Sequence, residues 1–143
     1  MDGNEKSEYI YIGRRILERS SMSKEARARH RDDQAVELLM RTGLPKNVAR
    51  ALAFLSTREE TTSVEIEKAT ALRQPEVSIA MQELRRLRWV EKRDVKKEGK
   101  GRPVHAYHLA LPFDDIVDEI AREEKRKIEE IQGTVRQLKR QAG

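Results

Sequence analysis

A chain of 143 residues, with 38% charged against 37% apolar side chains, has room for one domain built on a small core. Its 30 Lys plus Arg outnumber 25 Asp plus Glu to give a net charge of +5, and the lack of any cysteine excludes disulfides, thiolate zinc sites, iron–sulfur clusters and thiol redox chemistry. No apolar run approaches the roughly 18 residues of a membrane span and the amino terminus lacks the apolar stretch of a secretory signal, so a soluble, cytoplasmic protein without membrane contact is expected.

Residues 1–31 read as an amino-terminal docking segment and a mobile arm: Tyr9 to Ile12 with Ile16 and Leu17 suggest a short docking helix, and the mixed-charge run SKEARARHR after it has almost no apolar anchor. The domain is expected over residues 32–112. Asp32 and Asp33 form a cap-like pair before a helix with Val36, Leu39 and Met40 on one face, which Gly43 can end in the left-handed conformation. Pro45 suits the first turn of a second helix, whose Val48, Ala51, Leu52 and Leu55 repeat at core spacing. Thr62 and Glu65 have capping-box spacing and predict a short third helix from about Ser63 to Thr70.

After ALR, the segment QPEVSIAMQELRRLRWV places Val77, Ala80, Met81, Leu84 and Leu87 in one apolar stripe, with Pro75 in the first turn. The other face of this fourth helix carries Ser78, Ile79, Gln82, Arg85 and Arg86, with Gln74 at its start: hydrogen-bonding and cationic groups on a rigid rod. The period then shortens to that of two strands, WVEKRDVKKE and VHAYHLAL, around the basic glycine turn GKGRP. The fold class is therefore mainly α with a small β-hairpin wing, a winged helix-turn-helix. Residues 113–143 predict one further helix of about 25 to 30 residues, with Val117, Ile120, Ile128, Ile131, Val135 and Leu138 mostly three and four apart and Glu124 interrupting them. A single apolar stripe on a long helix must be covered, and a second copy is the expected cover, so these six residues are the candidate dimerisation set.

Charge is focused on the predicted wing and fourth helix. Residues 44–112 hold 14 basic and 9 acidic side chains, and Arg73 to Arg102 alone hold 10 and 5, which suits a polyanion partner.

QPEVSIAMQELRRLRWVEKR resembles the recognition helix and first wing strand of ArsR-type and MarR-type winged-helix transcription regulators. TGLPKNVARALAFL and GRPVHAYHLALPFDDI are similar to the archaeal TrmB-type regulators, and the resemblance covers roughly Asp33 to Ile120. It implies that Gln74, Ser78, Ile79 and Gln82 face the DNA major groove, that Arg73, Arg85 and Arg86 lie near flanking phosphates, and that Lys100 and Arg102 reach the adjacent minor groove or its backbone. The chemistry agrees: an amide pairs bidentately with adenine, a hydroxyl donates or accepts, and a guanidinium enters a narrow groove. Two departures matter. Arg88 stands where these families commonly have glycine between helix and strand, and the cysteine metal site of ArsR-type proteins is absent. Only about thirty residues follow the wing, so the sugar response of TrmB-type proteins is not carried over.

Catalytic chemistry finds no support. His105 and His108, three apart on a strand, point to opposite faces and cannot share a metal. The pairs Asp114 with Asp115, Asp118 with Glu119 and Glu129 with Glu130 sit among Lys and Arg on a helix, as solvated carboxylates do. Trp89, the sole tryptophan, reads as a hinge packed on the core. The expectation is a dimeric regulator that reads double-stranded DNA, with no enzymatic activity, metal or cofactor. The alternative is a winged-helix protein adaptor that uses the same surface without reading bases.

Overall fold

The computed structural model describes residues 9–12, 15–18, 23–95 and 104–143. Strands β1 (Tyr9–Ile12) and β2 (Arg15–Glu18) pair antiparallel, Tyr9 opposite Glu18 and Ile12 opposite Arg15, where a docking helix was expected. Alternating Tyr and Ile are strand formers, and that local preference outweighs the weak helical spacing. Helix α1 (Lys24–Arg41) starts well before Asp32, so the run expected as a mobile arm is helical. Ser23 supplies the cap, its Oγ accepting from the Ala26 amide at 3.1 Å, and the Lys, Ala and Arg that follow are good helix formers.

At the other end of α1 the amides of Thr42 and Gly43 donate to the carbonyls of Leu39 and Met40, and Gly43 takes φ +101°, the conformation that only glycine adopts cheaply. Leu39 is buried as expected, whereas Met40 faces solvent. Helix α2 (Lys46–Ser56) follows Pro45 and is the centre of the fold: Val48, Ala49, Ala51, Leu52, Ala53 and Leu55 are all buried, the alanines leaving room for helices to approach from several sides. Arg58 ties α2 to α1. Its guanidinium lies 3.6 Å from the Phe54 ring centre, donates to the Phe54 carbonyl at 2.6 Å, and reaches Asp32 at 3.4 Å, while burial holds the Asp32 carboxyl above its usual range.

A two-residue strand β3 (Thr61–Thr62) leads into helix α3 (Ser63–Thr70). Thr62 Oγ1 accepts from the Glu65 amide at 3.2 Å, as the spacing predicts, but the Glu65 carboxylate takes the hydroxyls of Thr61 and Thr62 instead of a backbone amide. Ala71, at φ +57°, turns the chain sharply into helix α4 (Gln74–Arg86). Strands β4 (Val90–Val95) and β5 (Val104–Leu109) pair from Val90 opposite Leu109 to Val95 opposite Val104. β3 adds to the far side of β5, Thr61 opposite Tyr107, which makes a three-stranded antiparallel sheet in the order β3-β5-β4.

Helix α5 (Phe113–Ala142) runs for 30 residues through Gly133 without a break. Its first turns seal the domain, with Ile116 and Ile120 buried against the core. Ile120, placed by its spacing in a dimer stripe, therefore belongs to the monomer's own interior. Leu52, Leu55, Ile66, Met81, Leu84 and Ile116 are fully buried, and truncating any one of the large ones to alanine costs about 2 to 5 kcal/mol. Among the described residues no helix is long and apolar enough to cross a membrane.

Candidate nucleic-acid interface

Helix α4 is fixed from beneath by Val77, Ala80, Met81 and Leu84, all buried against α2 and α3. Because 100° separates successive residues, that anchoring turns Gln74, Ser78, Gln82 and Arg85 outward along one line. Gln74, Gln82 and Arg85 are exposed and Ser78 is half-buried. The start of the helix is held by Glu76, whose carboxylate accepts from both the Arg73 amide at 3.2 Å and the Arg73 Nε at 3.1 Å, and these bonds keep its pKa below the usual carboxylate range.

The sheet rises beside this face. Lys92 stands opposite Tyr107 and Asp94 opposite His105, so Lys92 and His105 share the sheet side of buried Tyr107 and Val90. Together with Ser63 at the head of α3 they border a hollow of about 130 Å³ against Gln74, Ser78, Gln82 and Arg85. A recognition rod, a helix start and a wing strand thus converge on one concave surface of amides, hydroxyls and cations. Lys92, His105 and Ser63 were missed from sequence. Strand parity alone could have flagged Lys92 and His105, but only once the hairpin register was known.

The other candidate residues divide. Ile79 is 68% exposed and lines a separate hollow on the α2 side with Asn47, Gln82 and Arg86. Arg86 turns from the line toward Glu83, which accepts from its Nε at 2.9 Å; the pair pushes the carboxyl down and the guanidinium up. Arg93, on the opposite sheet face, is likewise clamped by Glu60 at 2.7 and 2.8 Å. Arg85 makes no ion pair with a described residue and is exposed. Lys100 and Arg102 lie outside the described residues. His105 pairs with Asp94 at 2.7 Å and His108 with Glu91 at 2.9 Å, on opposite faces of the sheet as their spacing requires.

At the corner between α4 and β4, Arg88 takes φ +64°, the left-handed position that a glycine would fill without strain. Trp89 is buried just after it, its indole N–H donating to Glu119 of α5 at 2.5 Å, and its carbonyl accepts from Ala110 at 2.8 Å. The wing and α5 are thereby locked to the base of the reading helix. A second, larger hollow of about 510 Å³ lies on that side, between the α1–α2 turn and α5, and its rim holds Glu83, Glu119, Glu123 and Glu124. Arg86 and Lys127 share that rim with them.

No match was found among curated proteins. Three solved structures share the fold. TrmBL2, described as an archaeal chromatin protein with a novel mode of DNA binding, superposes with a TM-score of 0.61 at 16% identity over 77% of this chain. This chain spans only 39% of TrmBL2. A possible transcriptional regulator from Methanosarcina mazei gives 0.54 at 12% identity, covering 92% of this chain and 95% of its own. A further transcriptional regulator gives 0.51 at 19% identity over 74% and 69%. The profile of the MarR family matches residues 28–101, which runs from within α1 through the helix-turn-helix and into the wing. The fold is that of winged-helix transcription regulators, and the chain belongs to the MarR family.

Proposed function

We propose that the protein is a sequence-specific, double-stranded-DNA-binding transcription regulator that acts as a homodimer and catalyses no reaction. The observation that carries this reading is the line Gln74, Ser78, Gln82 and Arg85, held rigid on α4 and flanked by Lys92. Amide and hydroxyl groups at that spacing suit base edges in a major groove that admits one helix. Exposed Ile79 suits a thymine methyl at the same depth. The family resemblance assigns Arg73 and Arg85 to flanking phosphates, and Lys100 and Arg102, outside the described residues, to the next groove or its backbone. Arg73 and Arg86 are each paired with a carboxylate of their own helix, Glu76 and Glu83.

Selection from a random duplex library supplies the preferred site, and two substitutions then separate reading from holding. Gln82→Ala should cost about 1 to 3 kcal/mol on that site and much less on random DNA. Arg102→Ala should weaken both and lower the magnitude of the salt slope by about one per affected subunit. Across the dimer, contact with about 6 to 10 phosphates predicts a loss of roughly 10³ to 10⁵ in affinity between 50 and 200 mM salt. A flat salt response would favour a protein adaptor over a reader of bases, and equal loss on all sequences in Gln82→Ala would leave the basic surface as a nonspecific DNA anchor.

A further inference from the structure

Burial of Ile116 and Ile120 in the domain leaves a stripe on α5 whose order the sequence spacing had blurred. With Ile120 removed from it, the stripe consists of Val117, Glu124, Ile131 and Leu138, seven apart, and Ala121, Ile128, Val135 and Ala142, also seven apart and offset by four. That is an uninterrupted heptad seam with one charged member, Glu124. Val117, Ile128, Ile131, Val135 and Leu138 are 43% to 65% exposed, so the seam is bare in the single chain.

Charge along the same helix is polarised. Residues 113–124 hold six acidic side chains and one basic, whereas residues 125–143 hold six basic and two acidic. A second α5 laid parallel would stack like halves together and set Glu124 against its own copy inside the seam, with lysine-rich ends also adjacent. Laid antiparallel, the acidic half of each helix meets the basic half of the other and the two helix dipoles oppose. One register brings the whole seam into contact. It sets Val117 against the partner's Ala142, Ala121 against the partner's Leu138, Glu124 against the partner's Val135, and Ile128 against the partner's Ile131. Each outer layer joins a larger to a smaller side chain, and Asp118 comes beside the partner's Lys139.

We propose that α5 is the docking surface for a second copy of itself, antiparallel and in this register, with Glu124 excluding the parallel arrangement. This deepens the homodimer proposed above and rests on it. Within its own helix, Glu124 accepts from Lys127 Nζ at 3.2 Å.

The chain's lack of cysteine makes the test clean. Ala121→Cys and Leu138→Cys, both at exposed positions, are prepared in the full-length chain and oxidised separately and as an equimolar mixture refolded together, with sedimentation equilibrium on each. The expected result is no covalent dimer from either variant alone and covalent capture of up to about half the chains in the mixture, the heterodimer share of random pairing. Val117→Cys with Ala142→Cys should behave the same way. Cross-linking of Ala121→Cys with itself would show a parallel pair and overturn the proposal while leaving the homodimer intact. A dimer by sedimentation with no cross-link in either mixture would overturn it equally. A monomer at micromolar concentration would sink the homodimer reading itself.

Discussion

Arg88 holds a backbone conformation that costs an L-residue about 1 to 2 kcal/mol, and it does so at the corner where the reading helix becomes the wing. The strain persists because both sides are pinned: the Arg88 amide donates to the Arg85 carbonyl at 2.9 Å, and the Trp89 amide donates to the Leu84 carbonyl at 3.1 Å with its ring buried. Arg88→Gly should therefore raise stability by about 0.5 to 1 kcal/mol, less than the full strain because glycine gains freedom in the unfolded chain. Urea unfolding followed by the fluorescence of the single tryptophan measures it directly. A loss of stability would mean that the exposed Arg88 side chain makes contacts worth more than the strain it causes.

Between elements, the bond from Trp89 to Glu119 couples the α4–β4 corner to α5. Glu119→Ala leaves a buried indole N–H without an acceptor and should cost about 1 to 3 kcal/mol, whereas Glu119→Gln, which keeps an acceptor, should cost less. Emission from Trp89 should shift in the first variant and hold in the second. Glu119 was invisible in the sequence, because thirty residues separate it from Trp89 and it looked like one more solvated carboxylate on a charged helix. The helices of the domain were legible for the opposite reason: the Pro45 start, the Thr62 cap and the Val77-to-Leu84 stripe are local patterns that packing then kept. Where local preference was weak the reading failed. Ser23 caps the helix nine residues before Asp32, in a run too polar to have a periodic stripe, and two threonines become a third strand only because β5 lies beside them. In the interface, the α4 residues followed from helical phase, but Lys92 and His105 needed the register of a hairpin.

Seen as one molecule, the domain is gripped by the first turns of α5, at Phe113, Ile116, Glu119 and Ile120, whereas Ile128, Ile131, Val135 and Leu138 further along are exposed. In the antiparallel pairing proposed above, residue 118 of one chain lies about 23 residues along the axis from its copy, roughly 35 Å at 1.5 Å per residue. Such a pairing sets the two domains apart on the scale of one turn of duplex, 34 to 36 Å. In that pairing the terminal helix would act as a calliper, its length setting the gap between the two domains. Duplicating residues 125–131 adds a heptad, keeps the seam in phase, and should move the heads apart by about 10 Å. Three base pairs of 3.4 Å also turn the duplex by about a third of a turn, so that variant should bind the original site more weakly, whereas three added heptads, about 31 Å, should restore binding on half-sites one further turn apart. Half-site spacing would then be written in the protein as a count of heptads, open to change without altering any residue that touches a base.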